Sequence, residues 1–86
     1  MIHKKIIIAN PSGIHIKPMM DIAKMARKYT SHIEIVKDGV GRDAKDFFDM
    51  AEGEFLPGSE VFLKAEGMDE KEAFDEIYDF IVNLKD

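Results

Sequence analysis

Ser12-Gly13-Ile14-His15-Ile16-Lys17-Pro18 is the stretch on which the reading of this chain turns. A short β-branched run precedes it and an amphipathic run opens at Pro18, so His15 falls where a strand's loop meets a helix. Proline favours the first turn of a helix, whose N–H groups lack intrahelical partners in any case. A helix N-terminus therefore faces the imidazole, and its unpaired N–H groups together with the helix dipole form a place for an anion. Gly13 lets the backbone bend back toward it, and Lys17 adds a mobile positive charge. A histidine that can carry a phosphoryl group beside such donors is chemically suited to become phosphohistidine. A lone histidine at a helix start is also commonly a cap or a surface residue, so the local chemistry alone leaves both readings open.

Outside this stretch the composition narrows the choice. Eighty-six residues fit one domain, 1–86, without cysteine; a chain of this size buries only roughly 60% of its unfolded surface and needs a tight core. Without cysteine there is no disulfide framework, thiolate nucleophile or cysteine-ligated metal, and such usage suits a reducing cytoplasm. Lys4 and Lys5 precede only Ile6, Ile7, Ile8 and Ala9, too short for the ~7–15-residue apolar region of a signal peptide. No apolar run approaches the ~18 residues of a membrane span. The net charge of −5 hides a division: residues 1–45 hold 9 Lys/Arg against 4 Asp/Glu, residues 46–86 hold 3 against 13. The first half is expected to present one basic face to an acidic partner, while the acidic remainder, a solvated helix face, repels nucleic acid and anionic lipid.

Along the chain, residues 2–9 read as a first strand, and Asn10-Pro11-Ser12-Gly13 as a turn. His3 is expected to be an exposed strand residue. From Pro18 to about Lys28, Met19, Ile22, Ala23, Ala26 and Tyr29 keep helical spacing opposite Asp21, Lys24, Arg27 and Lys28. Met20 lies off that stripe, suited equally to a partner contact or to filling the core's edge. His32 to Val36 alternates as a strand, Asp38-Gly39 marks a two-residue hairpin, and Val40-Gly41-Arg42 begins the return. His32, with no second ligand nearby, makes no metal site. Asp46 reads as the N-cap of a helix of about two turns limited by Gly53 and Pro57, with Asp49 three residues on. Phe47 and Phe48 cannot both point inward from so short a helix, so one is expected at the surface. Glu60 to Ala65 is the last strand, and Asp69 with Glu72 has capping-box spacing ahead of a helix carrying Phe74, Ile77, Ile81 and Leu84, widened by Ala73, Tyr78 and Val82. The resulting order, βαββαβα, predicts an α+β open-faced β-sandwich, a four-stranded antiparallel sheet with three helices on one face.

That order, with a histidine at the first loop–helix junction, resembles the HPr family, the histidine-containing phosphocarriers of the bacterial phosphoenolpyruvate:sugar phosphotransferase system. The family pattern G-I/L-H-A-R-P is met by Gly13, Ile14, His15 and Pro18, and further matches are Ser12, Lys28-Tyr29, Lys45, Gly58-Ser59-Glu60, Gly67 and Asp69-Glu70. The resemblance spans nearly the whole chain. It implies that His15 is phosphorylated on Nδ1 with the Ile16 and Lys17 amides near the phosphoryl group and Ser12 as an auxiliary donor. It also implies that the group arrives from enzyme I and leaves for a sugar-specific IIA domain, with no metal, cofactor or turnover of the carrier's own.

Three positions depart from the pattern. Lys17 replaces an arginine and lacks its planar fork, Ile16 replaces a small residue, and Asp46 stands where many members carry a regulatory serine, so that position cannot be phosphorylated. Asp46 is expected to act chiefly as a cap rather than as a standing imitation of phosphoserine. Met20, Phe47 and Phe48 are expected to form an apolar docking patch steered by Lys17, Lys24 and Arg27. The partners implied are enzyme I and IIA domains, with transcriptional regulators as further candidates, for a monomer without nucleic-acid binding or membrane insertion. The competing reading is a regulatory HPr-like module not coupled to sugar transport; an RNA-binding domain on a similar scaffold lacks the aromatic-plus-basic strand motif it would need.

Overall fold

Period-two alternation on three strands builds the floor of the core. In the computed structural model, which describes residues 1–85, the elements are β1 (Ile2–Ile7), α1 (Ile16–Ala26), β2 (His32–Lys37), β3 (Val40–Asp43), α2 (Phe47–Ala51), β4 (Glu60–Glu66) and α3 (Glu70–Val82). The strands form one antiparallel sheet in the order β1-β4-β2-β3. Its register sets Ile6 beside Val61, Leu63 beside Ile35 and Ala65 beside Ile33, all buried, and such same-face neighbours are the unit that stabilises a sheet. Onto this floor α1 lowers Met19, Ile22, Ala23 and Ala26, α3 lowers Ala73, Phe74, Ile77 and Ile81, and α2 adds Met50. The sheet's other face carries His3, Lys5, His32 and Glu34, so the sandwich is open on that side. The hairpin turns at Asp38 and Gly39, both with positive φ (53° and 80°), as a turn matched to strand twist requires.

Several local expectations shift. α1 begins at Ile16, not Pro18, because the His15 carbonyl already accepts the Met19 N–H at 3.0 Å. Pro18 is then the third helical residue, where an N–H would also lack a partner. β1 stops at Ile7, although Ile8 still exchanges hydrogen bonds with Ser59 and Gly58. Asp46 caps α2 by accepting from Phe48 and Asp49 N–H, but Asp49 does not reach back to the cap. It accepts the Asp43 N–H at 2.8 Å and faces Arg42 at 3.3 Å, and those contacts hold its carboxyl below the usual range. Asp69 is the N-cap residue of α3 without a side-chain capping bond. On α3, Val82 is exposed while Phe80 leans against the core, and Ile81 and Leu84 carry the apolar stripe onto it to the end of the helix and beyond. The basic half of the chain does not form one face: Lys4 lies over the Tyr78 ring, Lys5 pairs with Glu60, and Arg42 sits among Asp49 and Glu52. Topology overrides sequence proximity here, since β1 and β3 occupy opposite edges of the sheet.

Candidate functional site

The loop before His15 is held from two sides. Asn10, buried, donates from its side chain to the Gly13 carbonyl and accepts the Gly13 N–H on its own carbonyl at 3.0 Å. Ile14, also buried, donates its N–H to the Phe55 carbonyl at 2.8 Å. Gly13 adopts φ +64°, and a Cβ there would stand 2.3 Å from the Phe55 oxygen, so both the turn and the close approach demand glycine. With Ile14 as a plug, the next residue is forced outward. His15 is exposed, its backbone extended (φ −96°, ψ −166°), and its ring does not cap the helix it opens. Above it α1 begins with uncapped N–H groups at Ile16 and Lys17, while Pro18 has none to offer. This is the anion-receptive end that the helix dipole favours.

The charges around that end are arranged differently from expectation. Lys17 lies along the helix, its Nζ donating to both carboxylate oxygens of Asp21 at 2.7 and 2.9 Å. Ser12 and Ile16 are exposed beside the histidine. Among the expected docking residues, Met20, Arg27 and Phe47 come together with Ala23 around a cleft of about 210 Å³ between α1 and α2. Phe47 is half-buried and packs on the core, whereas Phe48 is 78% exposed at the tip of α2, its ring edge-on to Phe47 with centroids 5.4 Å apart. Only one phenylalanine thus points inward, as the short helix requires. Arg27 donates to the Lys45 carbonyl, and Lys45 in turn to the Tyr29 carbonyl. Lys24 does not join this cleft; it lines a separate groove with Asp21, Met25, Lys28 and Phe80. Asp46 stands at the head of α2, beneath Phe48.

Sequence reasoning missed Asp21 as the partner of Lys17, although the i,i+4 spacing carried the signal. It also missed the Phe55–Leu56 segment that clamps Gly13, for which a long-range contact leaves no sequence signal. Among the described residues no group of His, Asp and Glu could hold a metal ion, and His32 is engaged by Glu34 at 2.9 Å. No helix of the described residues is long and apolar enough to cross a membrane.

An open-faced sandwich with an exposed histidine at the uncapped start of its first helix defines a small carrier domain. The family model described as PTS HPr component phosphorylation site matches residues 2–83. The phosphocarrier protein HPr of Borreliella burgdorferi is 33% identical over 86 residues, all of both chains. The HPr-like protein Crh of Halalkalibacterium halodurans is 31% identical over 81 residues, 94% of this chain and 96% of that one. Among solved structures, HPr-C-His from Thermoanaerobacter tengcongensis superposes with a TM-score of 0.89 at 33% identity, covering 95% of this chain and 92% of that chain. The chain belongs to the HPr family of phosphocarriers.

Proposed function

We propose that His15 is the phosphoryl acceptor, charged by a phosphohistidine of enzyme I and discharged to a sugar-specific IIA domain, in the cytoplasm and without turnover of its own. The observation that carries this reading is the exposed His15 ring at the uncapped head of α1, on a backbone fixed by Asn10, Gly13 and Ile14. In the transfer, the unprotonated Nδ1 of a neutral His15 attacks phosphorus in line. The bond from phosphorus to the donor's nitrogen breaks, and its electron pair returns to the donor imidazole. The phosphoryl oxygens then lie toward the Ile16 and Lys17 N–H groups, whose bonds to a dianion are charge-assisted. Nothing in this step needs a metal, because positioning and charge stabilisation suffice for phosphoryl transfer between imidazoles.

Intact-mass measurement after incubation with enzyme I and phosphoenolpyruvate should show one acid-labile phosphate, absent from His15→Ala. A phosphate that survives acid, or persists in the variant, overturns the assignment. A second reading, a regulatory module that binds partners without feeding transport, draws support from Lys17 being tied to Asp21 and from Asp46 in place of a phosphorylatable serine. It predicts that the phosphorylated chain fails to pass its phosphate to any IIA domain while still being charged by enzyme I.

A further inference from the structure

Lys17 is placed unfavourably for an isolated helix. It is the second residue of α1, a cation near the positive end of the dipole, with its carboxylate partner four residues toward the C-terminus. Both features are the weaker arrangement for a charged pair on a helix. The pair nevertheless holds Lys17 on Asp21 through two hydrogen bonds, with the lysine side chain 74% exposed and the aspartate 37%. Exposed pairs of this kind are weak and readily exchanged. A phosphoryl group on His15, doubly charged and at the N-cap two residues before Lys17, offers a stronger anion to the same ammonium.

We propose that Asp21 is a positioning residue that withholds Lys17 from His15 until the phosphoryl group arrives, so that Lys17 exchanges one anion for the other on each cycle. This rests on His15 being the acceptor. The consequence is a limit on how firmly the phosphoryl group is held. Part of what Lys17 contributes to the phosphorylated state is offset by the bond it leaves, and the group stays easy to pass on. A carrier is useful only if it does not trap its cargo, and the latch lowers product stability without weakening the backbone cradle at Ile16 and Lys17.

The test compares the parent, Asp21→Asn, Lys17→Ala and the double variant in phosphoryl exchange with enzyme I, read by intact mass at equilibrium. Freeing Lys17 by Asp21→Asn should shift exchange toward the phosphorylated carrier by about two- to threefold, the scale of an exposed i,i+4 pair. In the Lys17→Ala background the same substitution should change nothing measurable at ~0.15 M salt, where a more distant carboxylate is screened. In the parent, phosphorylation should also move the Asp21 carboxyl carbon resonance, and it should not do so in Lys17→Ala. Equal equilibria for parent and Asp21→Asn, or the same shift with and without Lys17, overturn the latch while leaving His15 as acceptor. A folded parent that takes no phosphate overturns both.

Discussion

Truncating Phe48 separates docking from stability more cleanly than any other single change. Full burial of a phenylalanine is worth ~1.5–3 kcal/mol, and Phe48 is 78% exposed, so the fifth that is covered contributes only about 0.3–0.7 kcal/mol. Its edge-on contact with Phe47 adds about 0.5–1.5 kcal/mol, while alanine's better helix propensity returns a few tenths. Phe48→Ala should therefore cost no more than about 2 kcal/mol in urea unfolding. Phe47→Ala, which opens the edge of the core, should cost roughly 2–3 kcal/mol. For binding the order reverses. An aromatic ring at the centre of a desolvated patch typically anchors ~1–2 kcal/mol, so calorimetric titration with enzyme I should show Phe48→Ala weakened about five- to thirtyfold. The loss should persist at high salt, because burial of a ring is not screened. If Phe48→Ala binds enzyme I as tightly as the parent, or unfolds as readily as Phe47→Ala, the assignment of the two rings is wrong.

Two further predictions concern acidic residues. Asp46→Ala, which strips the cap from Phe48 and Asp49 N–H, should lower stability by about 0.5–2 kcal/mol, and Asp46→Ser should restore most of it. If the Asp46 charge also repels an acidic partner, the serine variant should accept phosphate faster than the parent at low salt; equal rates leave Asp46 as a cap alone. The Asp69 carboxyl, held down to about 2 from 3.8 by the Ser31 hydroxyl and the Thr30 and Ser31 N–H groups, contributes stability that is complete above its unfolded value and lost as pH falls through its folded one. The urea midpoint of the parent minus that of Asp69→Asn should thus shrink between about pH 4 and pH 2, and a difference that stays constant over that window refutes the contact's role.

Much of the architecture was legible because local signals and burial agreed. Ile33 and Ile35 alternate with polar neighbours and face the core; Asp38-Gly39 sits where both residues need positive φ; and α1 buries the stripe of Met19, Ile22, Ala23 and Ala26 that its spacing marks. Reading failed where one residue had two competing environments. Pro18 marks a helix start, yet any of the first positions tolerates proline, so it could not decide which residue caps, and the capping position fell to His15 itself. Val82 sits at the margin of the helical stripe and turns to solvent, although Ile81 beside it is buried and Leu84 beyond it still packs on the core. Of the residues expected in one docking patch, Met20, Arg27 and Phe47 line a common cleft, while Lys24 lines a separate groove because α1 presents different flanks to α2 and α3.

Asp46 and Asp69 show why caps in particular resist sequence reading. Each is an aspartate ahead of a helix with an acid three residues on, and on that pattern they are equivalent. Asp46 caps, its carboxylate accepting the Phe48 and Asp49 N–H groups of its own helix. Asp69 lies against the end of the loop after α1, where the Thr30 and Ser31 N–H groups, both at 2.9 Å, and the Ser31 hydroxyl all point to its carboxylate. Ser31 is 1% exposed and pressed against Gly67, whose position admits no Cβ. A buried N–H without a partner is costly, whereas the first N–H groups of α3 can turn to water. The carboxylate therefore goes to the buried loop, 38 residues away in sequence, and α3 starts uncapped. On the proposal that Asp21 holds Lys17 in the free carrier, a phosphoryl group on His15, bringing two negative charges to unpaired N–H groups, would be the needier partner and draw the ammonium away.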